Sequence, residues 1–429
     1  MSVSGALPGA DCASEDVTMA SAPDGMAAIR DGTGSKAAGA LQAARAEAPA
    51  GGFDRARFER ERAQAKQLDA PPRLALAPHI LAALRRPGRG AAALVGEILR
   101  LNLGPGRLTP AEYFYYRLDE PGLALEEKRK FVGKRRQGRL HAACNAPSWL
   151  AVADDKLLCQ AVLQGHGFPV PRLLGLYHRR RRAGALPNPA SPQALARFLA
   201  EQVAVPFFAK PVDGMYSLGA VAVEGRADGG ETLLLAGGER VSVQALAAYM
   251  NCSASGYLFQ ETMRPHSELA RAFGPRVSTV RMLVLLGSAG PELFRAVAKI
   301  PLAANIADNF WRKGNMIGDV EVASGRIRRA VSGIGLERRE HPLHPDSGQA
   351  LPGLALPLWE EARALCLAAA ETLPGIRTQS WDVALTDKGP LLVELNAGGD
   401  LNLTQLASGR GVLDARFHRH LAECGVELD

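Results

Sequence analysis

The sequence predicts an α+β protein of more than one lobe, and three observations carry that reading. Helical periodicity without strand signals fills residues 70–140, and from residue 150 onward short β-rich runs alternate with amphipathic helices. The third observation is length: 429 residues exceed the roughly 250–300 at which a single hydrophobic core stops growing. With 47% hydrophobic and 22% charged residues the composition is that of a globular chain, and no run approaches the roughly 18 consecutive apolar residues of a membrane-spanning helix. Fifty-one Lys and Arg against forty-four Asp and Glu leave a formal charge of +7, which favours anionic ligands weakly and gives no ground for expecting nucleic acid. Six cysteines lie too far apart for a zinc knuckle and are too few for a disulfide scaffold, so a reducing, cytoplasmic setting is expected. Asp11, Glu15 and Asp16 fall in the first 20 residues, which lack the basic leader and apolar core of a secretory signal.

Residues 1–50 hold fifteen alanines, six acids, three bases and no aromatic residue, which cannot build a core. They read as a disordered arm with local helix near 37–48, and 53–68 as a charged, solvated helix with a peripheral contact through Phe53 and Phe58. Together residues 1–69 make an N-terminal arm, and this end of the chain is a candidate surface for a protein partner. Three short helices follow, punctuated by Pro87-Gly88, Gly104-Pro105-Gly106 and Pro121-Gly122. Thr109 before Pro110-Ala111-Glu112 is a capped start. A basic helix over 125–140 completes the helical region, its charges a solvated face or an approach to phosphate or membrane lipid. Beyond it come a helix over 154–164, a strand near 172–177, the helix SPQALARFLAEQ, and the strands VPFFAKP, GAVAVEG and LFQETM. STVRMLVLLG, LFRAVAKIPL, GDVEVAS and RIRRAV read as strands of a larger sheet. A helix over 358–373 precedes the hairpin WDVALT and LLVELN. No internal period recurs, which argues against solenoids and propellers.

Chemistry concentrates in two places. The hairpin brings Asp382, Glu394 and Asn396 near one another if its strand ends pair. Glu394 and Asn396, two apart, face one side of their strand. Hard oxygens of this kind suit magnesium, above all magnesium held by nucleotide phosphates, and a carboxylate between Val393 and Leu395 is costly unless paired or liganded. Upstream, Lys210 ends the run FFAK before a loop containing Gly214 and Gly219. A lysine at a strand end can set its charge over a phosphate while glycines let backbone approach the same oxygens. Neither GxxxxGK[ST] nor a strand followed by GxGxxG is present, so a nucleotide site would take its lysines from separate strands.

As an ordered set, TPAEYFYYRL, DDKLLCQAVLQGHGFPVP, FFAKPVDGMYSLG, YLFQETMRPHSEL, VSTVRML, AVAKIPL, ADNFWRKGNMIGDVEVASGRI and WDVAL…GPLLVELNAGGDLN resemble the ATP-grasp superfamily. More narrowly they resemble its sugar-transfer-associated group, which is similar to alpha-L-glutamate ligases. The resemblance spans roughly residues 107–420. It implies two α+β lobes enclosing a nucleotide, with an N-terminal helical appendage over 70–140. The first segment would run over 141–205, a small nucleotide-clamping lobe over 206–262 and the core lobe over 263–429. Carried over by position, it assigns Lys156 and Lys210 to the phosphates, Gln260, Glu261 and Thr262 to the adenine hinge, and Glu268 to a ribose or hinge contact. Arg281 and Lys299 would stabilise phosphate or acyl phosphate, Asn309 would open a flexible loop, and Asp382, Glu394 and Asn396 would hold magnesium. The NAGGDLN segment departs from the family's more usual Pro-Gly continuation after the Asn.

The implied activity is ATP- and magnesium-dependent ligation of a small-molecule or peptide carboxylate to an amine through an acyl phosphate. The alternatives are a nucleotide-binding accessory protein in polysaccharide or cell-envelope assembly and a phosphotransferase acting on another acceptor. The bland reading of the same residues stays open beside these: Lys156 on a solvated helix, Arg281 in an internal ion pair, Asn396 capping its loop. The histidines form no HExxH and no compact triad, and His418 with His420 does not by itself support a zinc enzyme.

Overall fold

Local capping and turn chemistry set the N-terminal elements. The computed structural model describes residues 52–428 except 303, 304 and 306, so the 1–50 arm and the helix expected near 37–48 lie outside the described residues. Helix α1 (Arg55–Asp69) starts at Asp54, whose side chain accepts from Arg57 N at 2.7 Å. No residue within α1 is buried, yet it is not merely solvated: Phe53, buried just before it, sets its ring edge-on against Tyr249 at 5.1 Å, with the Arg57 guanidinium 3.8 Å over it. Helices α2 (Leu76–Leu84), α3 (Ala91–Leu103) and α4 (Pro110–Tyr115) follow, the last with the full capping box expected at Thr109.

The single basic helix expected over 125–140 is instead two, α5 (Leu125–Arg129) and α6 (Lys134–Cys144). Gly133 makes the break. Its N–H bonds Gly106 O at 2.9 Å, and a Cβ there would stand 2.6 Å from Glu112 Oε2, so the chain bends around the α4 cap. Helices α7 (Pro147–Asp154) and α8 (Lys156–Gly165) lead into the first sheet, with Asp155 capping α8 through Leu158 N at 2.8 Å.

The smaller sheet has the order β1-β6-β2-β3-β4-β5 and is antiparallel at every pair. Its strands are β1 (Leu173–Tyr177), β2 (Phe207–Pro211), β3 (Val221–Ala227), β4 (Thr232–Leu235), β5 (Arg240–Ser242) and β6 (Tyr257–Glu261), and α9 (Pro192–Arg197) and α10 (Val243–Met250) belong to the same segment. Because β1 pairs with β6, a boundary at 205/206 would cut through this sheet, which begins at Leu173. Strands β4 and β5 and helix α10 were not read from sequence. Phe198, Phe207, Tyr249, Tyr257 and Phe259 fill this lobe's core.

After α11 (Ser267–Phe273) comes the larger sheet, of order β11-β10-β9-β8-β7-β12-β13. It comprises β7 (Thr279–Gly287), β8 (Gly290–Ile300), β9 (Met316–Val320), β10 (Ile327–Ser332), β11 (Arg339–Glu340), β12 (Thr378–Thr386) and β13 (Gly389–Asn396). The strand read as GDVEVAS ends at Val320, because the residues after it turn: Glu321 O accepts from both Ser324 N and Gly325 N. Helix α12 (Trp359–Glu371) covers one face, where fully buried Trp381 sits among Met282, Val284, Ala362 and Cys366. Helix α13 (Leu401–Ser408) covers part of the opposite face together with the N-terminal helices, and α14 (Ala415–Glu423) packs near β7. Both lobes fall within one compact unit.

Candidate functional site

Residues on one rung of an antiparallel sheet project to the same face, which is how four strands of the larger sheet deliver charge to one place. In the larger sheet Glu394 lies opposite Asp382 and Asp382 opposite Arg281. Lys299 stands on β8 two positions from Val297, the residue opposite Arg281, and so shares that face. The Arg281 guanidinium grips Asp382 with two bonds, Nε to Oδ1 at 2.6 Å and Nη2 to Oδ2 at 2.9 Å, and Lys299 Nζ donates to Oδ2 at 2.7 Å. Burial alone would raise the Asp382 carboxyl, but the two cations outweigh it and hold it well below the usual carboxylate range. Burial likewise disfavours the Arg281 cation, and Asp382 overrides it.

From the smaller sheet Lys210 projects from β2, and Lys156 comes from the first turn of α8, a helix whose Cys159 and Leu163 pack in the core of the larger sheet. Lys156 Nζ lies 3.3 Å from Glu394 Oε1 and also donates to Gly214 O. Lys210 is buried, which lowers its ammonium to about 8, with Glu394 opposing the shift and Lys156 adding to it. Four basic side chains thus stand about two acids in a region of low exposure. That arrangement disfavours the free protein and favours an arriving polyanion.

The surrounding cleft is open to solvent on one side and has a volume of about 190 Å³. Of the residues singled out from sequence, Lys156, Lys210, Gly214, Gln260, Glu261, Thr262, Lys299, Asp382 and Glu394 line it. Gln260 is buried, its Nε2 donating to Gln160 Oε1 at 3.2 Å, whereas Glu261 turns its carboxylate to Arg172 at 2.9 Å and Lys388 at 3.5 Å. Arg281 stands behind Asp382 and is not among the lining residues.

Four other residues lie off the wall. Gly219, at φ +76°, folds its loop back so closely that a Cβ would meet Pro211 Cγ at 2.9 Å, so its role here is the turn itself. Glu268 is exposed in the first turn of α11. Asn396 is half-buried, its Nδ2 reaching Ser380 O at 3.5 Å. Asn309 ties two loops together, donating from Nδ2 to Tyr216 O and accepting from Trp311 N at 2.8 Å. The sequence reading passed over Asp308, which lines the cleft and accepts from Thr279 N at 2.7 Å and from the Thr279 hydroxyl. Burial raises its carboxyl, against Lys299 and Thr279. Its only sequence signal was its place beside Asn309 in ADNF.

The donor set suits a hard cation. Asp382 and Glu394 occupy facing positions, where Cβ atoms stand roughly 4.5–5.5 Å apart, and a carboxylate keeps acceptor capacity beyond one bond per oxygen. Both can therefore remain bonded to Arg281, Lys299 and Lys156 and still offer oxygen to magnesium.

A six-stranded lobe and a seven-stranded lobe around a cleft lined with lysine and carboxylate make up the ATP-grasp architecture. Residues 135–419, more than half the chain, match the family described as sugar-transfer associated ATP-grasp, and the chain belongs to that family. No curated protein matches it. Solved structures similar to it include the ATP-grasp ligase PsnB complexed with its minimal precursor, at 19% identity and TM-score 0.33, covering 66% of this chain and 63% of that one. Another is the ADP complex of purK, an N5-carboxyaminoimidazole ribonucleotide synthetase, at 14% identity, TM-score 0.35 and coverage of 65% and 53%. A third is the VanG D-Ala:D-Ser ligase from Enterococcus faecalis, at 14% identity, TM-score 0.37 and coverage of 66% and 63%. The chain spans less than two thirds of each of these. Among the described residues no helix is long and apolar enough to cross a membrane.

Proposed function

We propose that the chain is an ADP-forming ligase that joins a carboxylate to an amine through an acyl phosphate. The observation that carries this reading is the convergence of Lys156, Lys210, Lys299 and the Arg281–Asp382 pair on one cleft beside Glu394. In the first step a carboxylate oxygen of the substrate attacks the γ-phosphorus of ATP, and the bond to the β-phosphate oxygen breaks to release ADP. In the second an amine attacks the acyl carbon, phosphate departs with the C–O electron pair, and the nitrogen loses a proton.

The chain's own groups supply what both steps need. Lys156 and Lys210 hold the phosphates of the nucleotide. Lys299, and Arg281 through Asp382, set positive charge against the oxygens on which it accumulates. Asp382, Glu394 and Asn396 would hold magnesium, which when bound neutralises phosphate charge. Gln260, Glu261 and Thr262 line the cleft where the adenine would lie, and Asn309 ties its loop to the Tyr216 loop at the cleft wall. The family description favours acceptors from sugar-conjugate or cell-envelope assembly.

The purified chain, given ATP and a panel of carboxylates and amines, should release ADP and phosphate together with a product lighter than its two parents by one water. Hydroxylamine in place of the amine should trap the activated acid as a hydroxamate. A stable phosphorylated product that hydroxylamine leaves untouched would instead identify a phosphotransferase. Nucleotide binding without turnover across the full panel would favour the accessory role.

A further inference from the structure

Away from the cleft, three soft donors from the two ends of the described chain meet. Cys144 ends α6, His420 lies in the last turn of α14, and Cys424 caps that helix, so the latter two are spaced i, i+4 on one face. The two Sγ atoms and a ring nitrogen of His420 all lie within 4.8 Å of one another. Cys144 and His420 are each 4% exposed. We infer that Cys144, His420 and Cys424 form a binding site for a zinc-like, borderline-soft cation that pins the C-terminal helix to the end of α6.

Distance is the first argument. Zinc takes sulfur at about 2.3 Å and imidazole nitrogen at about 2.0–2.1 Å, so a tetrahedral site needs about 3.6 Å between a sulfur and a nitrogen. Cys424 Sγ stands 3.7 Å from His420 Nε2. The second is the fourth corner: Thr378 Oγ1 lies 3.0 Å from His420 Nε2, a bond the ring nitrogen would exchange for the cation while the hydroxyl oxygen stays beside it as a further donor.

The site is separate from the nucleotide cleft. Thr378 begins β12 and Asp382 follows four residues on, about 13 Å along an extended strand. The two donor sets also differ in kind, thiolate and imidazole here against hard oxygen there. A structural role follows from sequence separation, because the cation would close a loop running from α6 to the end of α14 and fasten both to the start of β12.

The test uses the full chain, purified under reductant without chelator, and zinc as the probe. After incubation with equimolar zinc and dialysis against a weak chelator, elemental analysis should find one zinc per chain, and a strong chelator should lower the melting temperature. Cys144→Ser and Cys424→Ser should each lose the metal, while Cys366→Ser, a buried free cysteine elsewhere, should keep it. Cobalt loaded into the unmutated protein should show thiolate-to-metal charge-transfer absorption, a readout that does not depend on whether the variants fold. Metal that dialyses away, a cobalt spectrum without thiolate bands, or a Cys144–Cys424 disulfide in the unreduced peptide map would each overturn the inference.

Discussion

At the scale of single residues, the sharpest expectation concerns Lys210. Methionine keeps much of its apolar stem and removes the ammonium, so Lys210→Met should weaken ATP by about 10- to 100-fold, the value of one charge-assisted contact, and leave adenosine nearly unchanged in calorimetry. Equal weakening of adenosine would remove Lys210 from the phosphates. Its acidity gives an independent check. Between about 8 and the ordinary 10.5 the unfolded chain binds one more proton at this residue than the folded chain does, so its contribution to stability rises with pH in that window. Phosphate draws the proton back, so ATP binding above pH 8 should take up a proton and weaken as pH rises, a slope that Lys210→Met should flatten. The carboxylates divide differently. Asp382 neutralises two buried cations, so Asp382→Asn should lower stability by about 3–5 kcal/mol as well as turnover. Glu394 is less enclosed, and Glu394→Gln should cut ADP formation with little change in melting temperature. Full activity in both variants, with magnesium still required, would exclude them as its ligands. The wall-lining lysines and acids were legible because charged residues inside apolar strands are costly and conspicuous. Asp308 was not, since nothing in ADNF announces that Thr279 and burial enclose it.

At the scale of elements, legibility follows how local the cause is. The Thr109 cap was readable from four consecutive residues, but the break that separates α5 from α6 was not. There the break depends on Gly133 meeting Glu112 from twenty-one residues away. The pairing of β1 with β6 is likewise non-local, and strands β4 and β5 are too short to show alternation. Glu112 makes this dependence measurable. One oxygen accepts from Thr109 N at 2.8 Å and Thr109 Oγ1 at 2.9 Å, and the other accepts from Lys134 N, at the start of α6, at 2.6 Å. Glu112→Ala therefore uncaps two helices and strands buried N–H groups. A loss of about 2–4 kcal/mol is expected, read as a lower urea midpoint at unchanged slope. Glu112→Gln keeps one oxygen and should lose less. If alanine shifts the midpoint no more than glutamine does, the joint cap is not what holds α4 against α6.

At the scale of the whole molecule, α1 joins parts that the sheets keep apart. On the smaller lobe Phe53 packs edge-on against Tyr249, Tyr249 donates its hydroxyl to Glu61, and Arg57 lies 3.5 Å from Glu239. At the other end of the helix Asp69 accepts from the Tyr216 hydroxyl, on the loop that closes over the cleft, at 3.3 Å, and lies 3.5 Å from Lys134 at the start of α6. The same helix thus touches the smaller lobe, the cleft loop and the N-terminal helices, although most of its surface faces water. Residues 1–50 carry no aromatic side chain and few groups able to make such contacts. Two truncations separate the segments. Removing residues 1–50 should leave melting temperature and ATP affinity unchanged. Removing residues 1–69 should expose Tyr249, lower the melting temperature, and weaken ATP by more than it weakens adenosine, because the phosphate-side loop loses its Asp69 contact. Calorimetry of both truncations decides it: loss of ATP binding on the shorter deletion, or none on the longer, would show that α1 does not link lobe and loop.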